Sequence, residues 1–197
     1  MRSLIALMSF IFTVPCLADT AWQADFTDMS VWHARSDWVG SPSARCTAAY
    51  QDGIAAFAIP EAGQAMKWVC ELPEPVDIDL TPWLVFTYRL TNFDVVTPDY
   101  ILWLKDRSSS DGARVLKGDA VTADGQWHTT ALNLMEAGII SPVTQVALQC
   151  WSNASGNAAL QVKNISITDI PPVEAENLNL PQGPLQEINI GTGAATD

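Results

Sequence analysis

Three pairs of side chains have the types and spacing needed to read a sugar: Thr87 and Arg89, Trp103 and Lys105, Gln149 and Trp151. Within each pair the two residues are separated by one other, so in an extended chain both point to the same side. An indole offers a flat face on which the C–H groups of a pyranose stack, and planar polar groups beside it reach the hydroxyls. If the three runs lie in neighbouring strands with these parities outward, one sheet face becomes a platform, with Arg89, Trp103, Lys105, Gln149 and Trp151 as its ligand-binding residues. Trp32, Trp38 and Tyr50 would then line a rim from the loops. The competing use of the same tryptophans is structural. Large aromatics are usually well buried, and loops can cover both faces of a sandwich sheet.

Catalytic arrangements are thin by comparison. The chain has two histidines, His33 and His128, and no nucleophile elbow, metal-binding helix motif or phosphate loop. The Ser108, Ser109, Ser110 run reads as a solvated loop, since a nucleophile there needs a histidine partner that the sequence does not place. Asp94 and Asp99 flank one loop, and Asp106 and Asp111 another. A glycosidase pair of carboxylates is spatial and leaves no linear mark. The expectation is therefore a protein that is not an enzyme.

These residues sit on a framework of alternating runs. Residues 83–106 hold two of them around a polar loop: Leu84, Phe86, Tyr88 and Leu90 share one face, and Ile101, Trp103 and Lys105 oppose Tyr100, Leu102 and Leu104. A period of two with one apolar face is the mark of a half-buried strand. In residues 65–72, Met66, Trp68, Cys70 and Leu72 face inward and Lys67, Val69 and Glu71 outward. Asp52 and Gly53 join two further runs as a type I′ hairpin. Residues 73–82, with three prolines and three acids, read as a crossover loop. In the last run Leu160 and Val162 have one parity and Ile165 and Ile167 the other, so a β-bulge near Lys163 and Asn164 is required for all four to face the core. No long helical period exists. The expected fold is all-β, an antiparallel jelly-roll β-sandwich of eight or nine short strands.

Arg2, an apolar run over residues 4–14 and the small-residue site at Ala18 form a signal peptide, residues 1–18, cut after Ala18. A lipoprotein reading with Cys16 acylated is the alternative, disfavoured by Pro15. The protein is expected to be secreted or periplasmic, with the sandwich over residues 19–170 and a flexible tail or linker over 171–197. No stretch approaches the ~20 apolar residues of a membrane span. The formal net charge is −12, and losing Arg2 with the leader makes it more negative. Nucleic acid and anionic membrane surfaces are not expected as partners, because both demand a positive face. Cys46, Cys70 and Cys150 remain, an odd number matching no metal spacing. One disulfide or buried free thiols both stay open.

The order of these pieces resembles the galactose-binding-like β-sandwich shared by many carbohydrate-binding modules. The resemblance covers residues 21–170. It rests on Ala24, Asp25 and Phe26 with Trp32, then Asp52 and Gly53, then residues 75–80 (PVDIDL) leading into 83–89 (WLVFTYR). Residues 124–127 (DGQW) before an apolar strand, and Gly156 before the closing 165–169 (ISITD), complete it. It implies a binding module for a polysaccharide or glycoconjugate, and a structural calcium between the first and last strands with Asp25 and Asp169 as metal positions and Asp28 nearby. Ordinary turn carboxylates are the other reading of those aspartates, since calcium takes six to eight oxygens. The functional alternatives are a structural or protein-interaction module of the same fold, and a hydrolase or lyase on a jelly-roll frame.

Overall fold

The computed structural model describes residues 19–94, 100–107, 113–117 and 120–171. The expected leader, the expected tail beyond Pro171, and Asp99, Asp111 and the serine run at 108–110 lie outside the described residues. Eleven strands are found among them: β1 (Thr20–Gln23), β2 (His33–Ala34), β3 (Thr47–Gln51), β4 (Ile54–Ile59), β5 (Ala65–Val76), β6 (Trp83–Thr91), β7 (Tyr100–Lys105), β8 (Ala113–Lys117), β9 (His128–Asn133), β10 (Val143–Trp151) and β11 (Ala158–Thr168). They form two antiparallel sheets. The first has the order β3-β4-β11-β6-β9, with β1 also paired to β11, and the second has the order β2-β5-β10-β7-β8. The chain is a β-sandwich, as the alternating runs predict.

The inner faces follow the parities of the sequence. Leu84, Phe86, Tyr88 and Leu90 from β6 meet Met66, Trp68, Cys70 and Leu72 from β5, with Val146, Leu148 and Cys150 from β10. Aromatic rings join the layers. Phe57 on β4 lies 5.1 Å from Trp68 on β5, and Trp32 packs edge-on against Phe57 at 5.5 Å and stacks on Phe26 at 5.5 Å. Burying such rings removes the largest apolar areas available to the chain from water.

The bulge forms where the parity change requires it. Val162 pairs with Tyr88 and Asn164 with Thr87, leaving Lys163 as the extra residue, and Leu160, Val162, Ile165 and Ile167 are all fully buried. The Asp52–Gly53 turn has positive φ at both residues, 52° and 79°, as a type I′ hairpin demands.

β1 stops at Gln23, because the Asp25 and Asp28 carboxylates accept the amides of Thr27 and Ser30 and curl the chain into turns. Three expectations need correction. Residues 73–76 continue β5 instead of forming a loop. Their ladder to β10 jumps from Glu71↔Gln145 to Val76↔Val143, so Pro73 and Pro75 sit in an unpaired bulge where no amide is missed. β8 is an added strand, hidden because its adjacent Val115 and Leu116 give no alternation. The two runs around residues 91–100 belong to different sheets, since β6 lies in the first and β7 in the second.

Among the described residues the three thiols, Cys46, Cys70 and Cys150, are free. Cys70 is in register with Val146 while Cys150 is in register with Met66. Four residues of offset at ~3.3 Å each put them about 13 Å apart, beyond disulfide reach. Burial, then the Glu71 charge, pushes the Cys70 thiol up to about 11, and burial raises that of Cys150. Thiol titration with a chromogenic disulfide at pH 8 should therefore modify half-buried Cys46 alone in the native protein, with Cys70 and Cys150 reacting only in denaturant. A tight approach at Gly156 gives a second prediction. Its φ is 71°, and a Cβ there would stand 2.8 Å from the Pro60 carbonyl oxygen. Gly156→Ala should cost roughly 1–3 kcal/mol in urea unfolding, whereas Gly40→Ala, with open space around it, should shift stability by less than about 0.5 kcal/mol.

Candidate functional site

Tryptophan exposure separates two populations. Trp22, Trp32 and Trp68 are core residues, while Trp38, Trp83, Trp103, Trp127 and Trp151 are half-buried on the outside of the sandwich. Three of the outer five share the outer side of the β2-β5-β10-β7-β8 sheet. Trp103 stands on β7 in a cross-strand row with Ala147 and Val69. Trp151 closes β10, opposite Ala65, and Trp38 ends a single 3-10 turn, Ser36–Trp38, that follows edge strand β2.

Lys67 organises this face. It projects outward from β5, and its side chain spans β10 above the small Ala147 to bring Nζ 3.4 Å from the Trp103 ring centre. The same nitrogen lies 5.5 Å from the Trp38 ring. Its aliphatic stem is covered on both sides, leaving the residue 4% exposed. Trp38 is fixed in turn by Arg35, whose guanidinium sits 4.3 Å over the indole and makes a two-point ion pair with Asp37 at 2.9 and 2.7 Å. The guanidinium holds the Asp37 carboxyl below the usual carboxylate range. Gln149, in register with Lys67, is buried within the face. One strand-length away Lys105, Gln145 and Glu71 form a polar row, where Gln145 Nε2 donates to Glu71 Oε1.

The structure thus brings Trp103, Lys105, Gln149 and Trp151 to one face. Arg89, with Thr87, is not among them. Both lie on the outer side of the opposite sheet, because β6 and β7 are not neighbours. There Arg89 Nε donates to Gln161 Oε1 at 2.6 Å and its guanidinium lies 4.9 Å from the Trp127 ring. Lys163, the bulged residue of β11, reaches across β6 to place Nζ 4.2 Å from the same ring. Lys67, Trp38, Trp127 and Lys163 carry these clusters without having been singled out as binding residues in the sequence pairs. In the sequence Trp38 stands as a rim candidate and Trp127 closes the 124–127 turn, while Lys67 and Lys163 are marked only by outward parity and by the bulge.

The expected metal positions do not form one site. Asp169 and Asp25 lie at opposite ends of the β1–β11 ladder, separated by about 20 Å at ~3.3 Å per residue. Each carboxylate is already engaged: Asp169 accepts the Asp19 amide at 2.8 Å, and Asp25 accepts the Thr27 amide at 2.9 Å and its hydroxyl at 2.6 Å. Among the described residues no three His, Cys, Asp or Glu side chains group as a metal site would require. His33, in β2, and His128, in β9, stand in different sheets. An open cavity of about 490 Å³ is lined by Asp19, Trp22, Glu74, Asp77 and Leu80. Asp77 is held below the usual range there by hydrogen bonds from the Ser141 hydroxyl and the Asp79 amide. A carboxylate held low is the opposite of what a general acid needs.

No family model matches the chain, and no curated protein matches it. Among solved structures it is similar to PfGH50B, with 14% identity and a TM-score of 0.44 over 79% of this chain and 24% of that one. It is similar to CBM86, a low-affinity xylan-binding module from Roseburia intestinalis, with 15% identity and a TM-score of 0.38 over 70% of this chain and 94% of that module. It is also similar to the enzymatically active domain of bacteriophage CBA120 tailspike protein 4, with 10% identity and a TM-score of 0.42 over 73% of this chain and 20% of that one. The chain therefore spans about a quarter of PfGH50B. One of these neighbours is a carbohydrate-binding module. At these scores the likeness is one of sheet arrangement, and the chemistry rests on this chain's own side chains.

The turn that presents Trp127 depends on a pH-sensitive contact. Asp124 Oδ1 lies 2.9 Å from His128 Nε2 and accepts the Gln126 amide at 2.8 Å. The histidine, then the amide, holds the Asp124 carboxyl below the usual range. A depressed carboxylate adds stability above its unfolded value of about 3.9 that is lost as pH falls through the folded one. Wild-type melting temperature should drop below pH 4 by more than that of Asp124→Asn, with Trp127 emission shifting in the wild type over the same range.

Proposed function

We propose that this chain is an exported, non-catalytic carbohydrate-binding module that takes a polysaccharide on the outer face of the β2-β5-β10-β7-β8 sheet. One observation carries the reading. Trp38, Trp103 and Trp151 are half-exposed on that face, and Trp38 and Trp103 are held in fixed positions by Lys67 instead of packing into the core. A rigid indole loses little conformational entropy on binding, which suits stacking against the apolar side of a sugar ring. Trp103 and Trp151 are separated by four residues of β10 register, about 13 Å along the strand. That span favours an extended chain over a single sugar. Exposed Lys105 lies at one end, placed to meet hydroxyls, while buried Gln149 lies between the two indoles and supports the face from within.

Titration of tryptophan fluorescence with a panel of soluble polysaccharides tests this. A saturable shift with one glycan, weakened about tenfold or more by Trp103→Ala or Trp151→Ala, is the expected result, each removing a stack of roughly 1–1.5 kcal/mol or more. No shift with any glycan would discard the sugar face and leave the reading of a structural or protein-interaction module.

A further inference from the structure

We propose that the opposite side of the sandwich is a second binding site, selective for an anionic group on a glycan, built from Arg89 and Lys163 around Trp127. It does not rest on the tryptophan face of the other sheet. The chain carries 22 acidic against 10 basic residues, so a cation without a carboxylate partner needs a reason. Arg35 pairs with Asp37 and Arg45 with Glu61. Arg89 and Lys163 pair with no acid among the described residues. Both instead lean on one half-buried indole, at 4.9 and 4.2 Å.

Of the five N–H donors of a guanidinium, Arg89 uses Nε on Gln161, and a lysine ammonium brings three more. The Gln161 bond and the ring fix the plane of the guanidinium, leaving its outer edge as a fork of the kind that receives a carboxylate or sulfate. Lys163 adds a point charge from the far side of β6. The bulge makes this possible, because the extra residue opposes nothing on β6 and is not bound by the alternation of its neighbours.

The surroundings favour a sugar as the carrier of that anion. Thr87 and Thr129 share a hydrogen bond at 3.0 Å, Asn164 pairs with Thr87 in the ladder, and Ala56 flanks Gln161. This is a flat surface of small hydroxyl and amide groups suited to ring hydroxyls. A dense polyanion such as nucleic acid or a charged membrane would meet the repulsion of the rest of the chain. The site suits separated charges on an otherwise neutral polymer. The two sources of such charge are uronate carboxylates and sulfate esters.

The test is calorimetric titration of the full mature chain with a glucuronoxylo-oligosaccharide bearing separated carboxylates, a κ-carrageenan oligosaccharide bearing one sulfate per disaccharide and a neutral xylo-oligosaccharide, at low and raised salt. We expect one of the two acidic oligomers to bind, with salt-sensitive affinity. Arg89→Gln and Lys163→Gln should each weaken it about tenfold, Arg89→Lys should weaken it less than Arg89→Gln, and Arg45→Gln, which removes an exposed cation already paired with Glu61, should leave it unchanged. Carboxylate-only or sulfate-only binding identifies the source. Circular dichroism and the melting temperature of each variant confirm that it is folded. Equal binding of an acidic oligomer by wild type and the Arg89→Gln/Lys163→Gln double variant would overturn the proposal, as would no binding of either acidic oligomer at millimolar concentration.

Discussion

The extra residue in β11 is the constraint on which both layers of the molecule depend. β11 is the middle of its sheet and pairs with β1, β4 and β6 at once. Its apolar residues change parity halfway, and an unbroken ladder would turn either Leu160 and Val162 or Ile165 and Ile167 out to solvent. Burying a Leu, Ile or Val side chain contributes roughly 1.5–3 kcal/mol. Losing two of them would cost far more than the ladder hydrogen bond that a bulge gives up. The bulge keeps all four inside. The same irregularity turns Lys163 outward onto the Trp127 ring.

The two outer faces share a construction. On one, Lys67 crosses β10 above Ala147 to reach Trp103; on the other, Lys163 crosses β6 to reach Trp127. In each case a long side chain spans the neighbouring strand and ends on an indole two strands away. The stem covers small residues, the ammonium meets the electron-rich ring face, and the aromatic is held at the surface. The difference lies in burial. Lys67 is enclosed between two indoles and serves to position them, while Lys163 remains exposed and able to meet a ligand.

Inside, the layers are joined by aromatic contacts and not by covalent links. The chain Phe26, Trp32, Phe57, Trp68 passes from the opening turn through β4 to β5 and ties the two sheets together. Cys70 and Cys150 act as small apolar fillers of that interior. The aspartates that could have read as metal ligands work locally instead, closing turns at Thr27 and Ser30 and fastening the start of β1 to the end of β11.

Much of the architecture was legible in the residues. The inward sets of β5 and β6, the Asp52–Gly53 hairpin and the β11 bulge follow from alternation, turn chemistry and parity, which are local properties acting over a few residues. They determine which side of each strand is apolar, and hence that two sheets must meet face to face. What they leave open is which strands are neighbours. Nothing in residues 83–106 reveals that β6 and β7 enter different sheets, so Arg89 and Trp103 could be placed on one face by parity alone and are on opposite faces in fact. Strand neighbours are chosen by long-range packing across the core, where Phe57 meets Trp68 and β11 serves three partners. Trp38 over Lys67 and Trp127 over Lys163 are contacts between residues far apart in sequence or in different strands, and their chemistry exists only once that order is set.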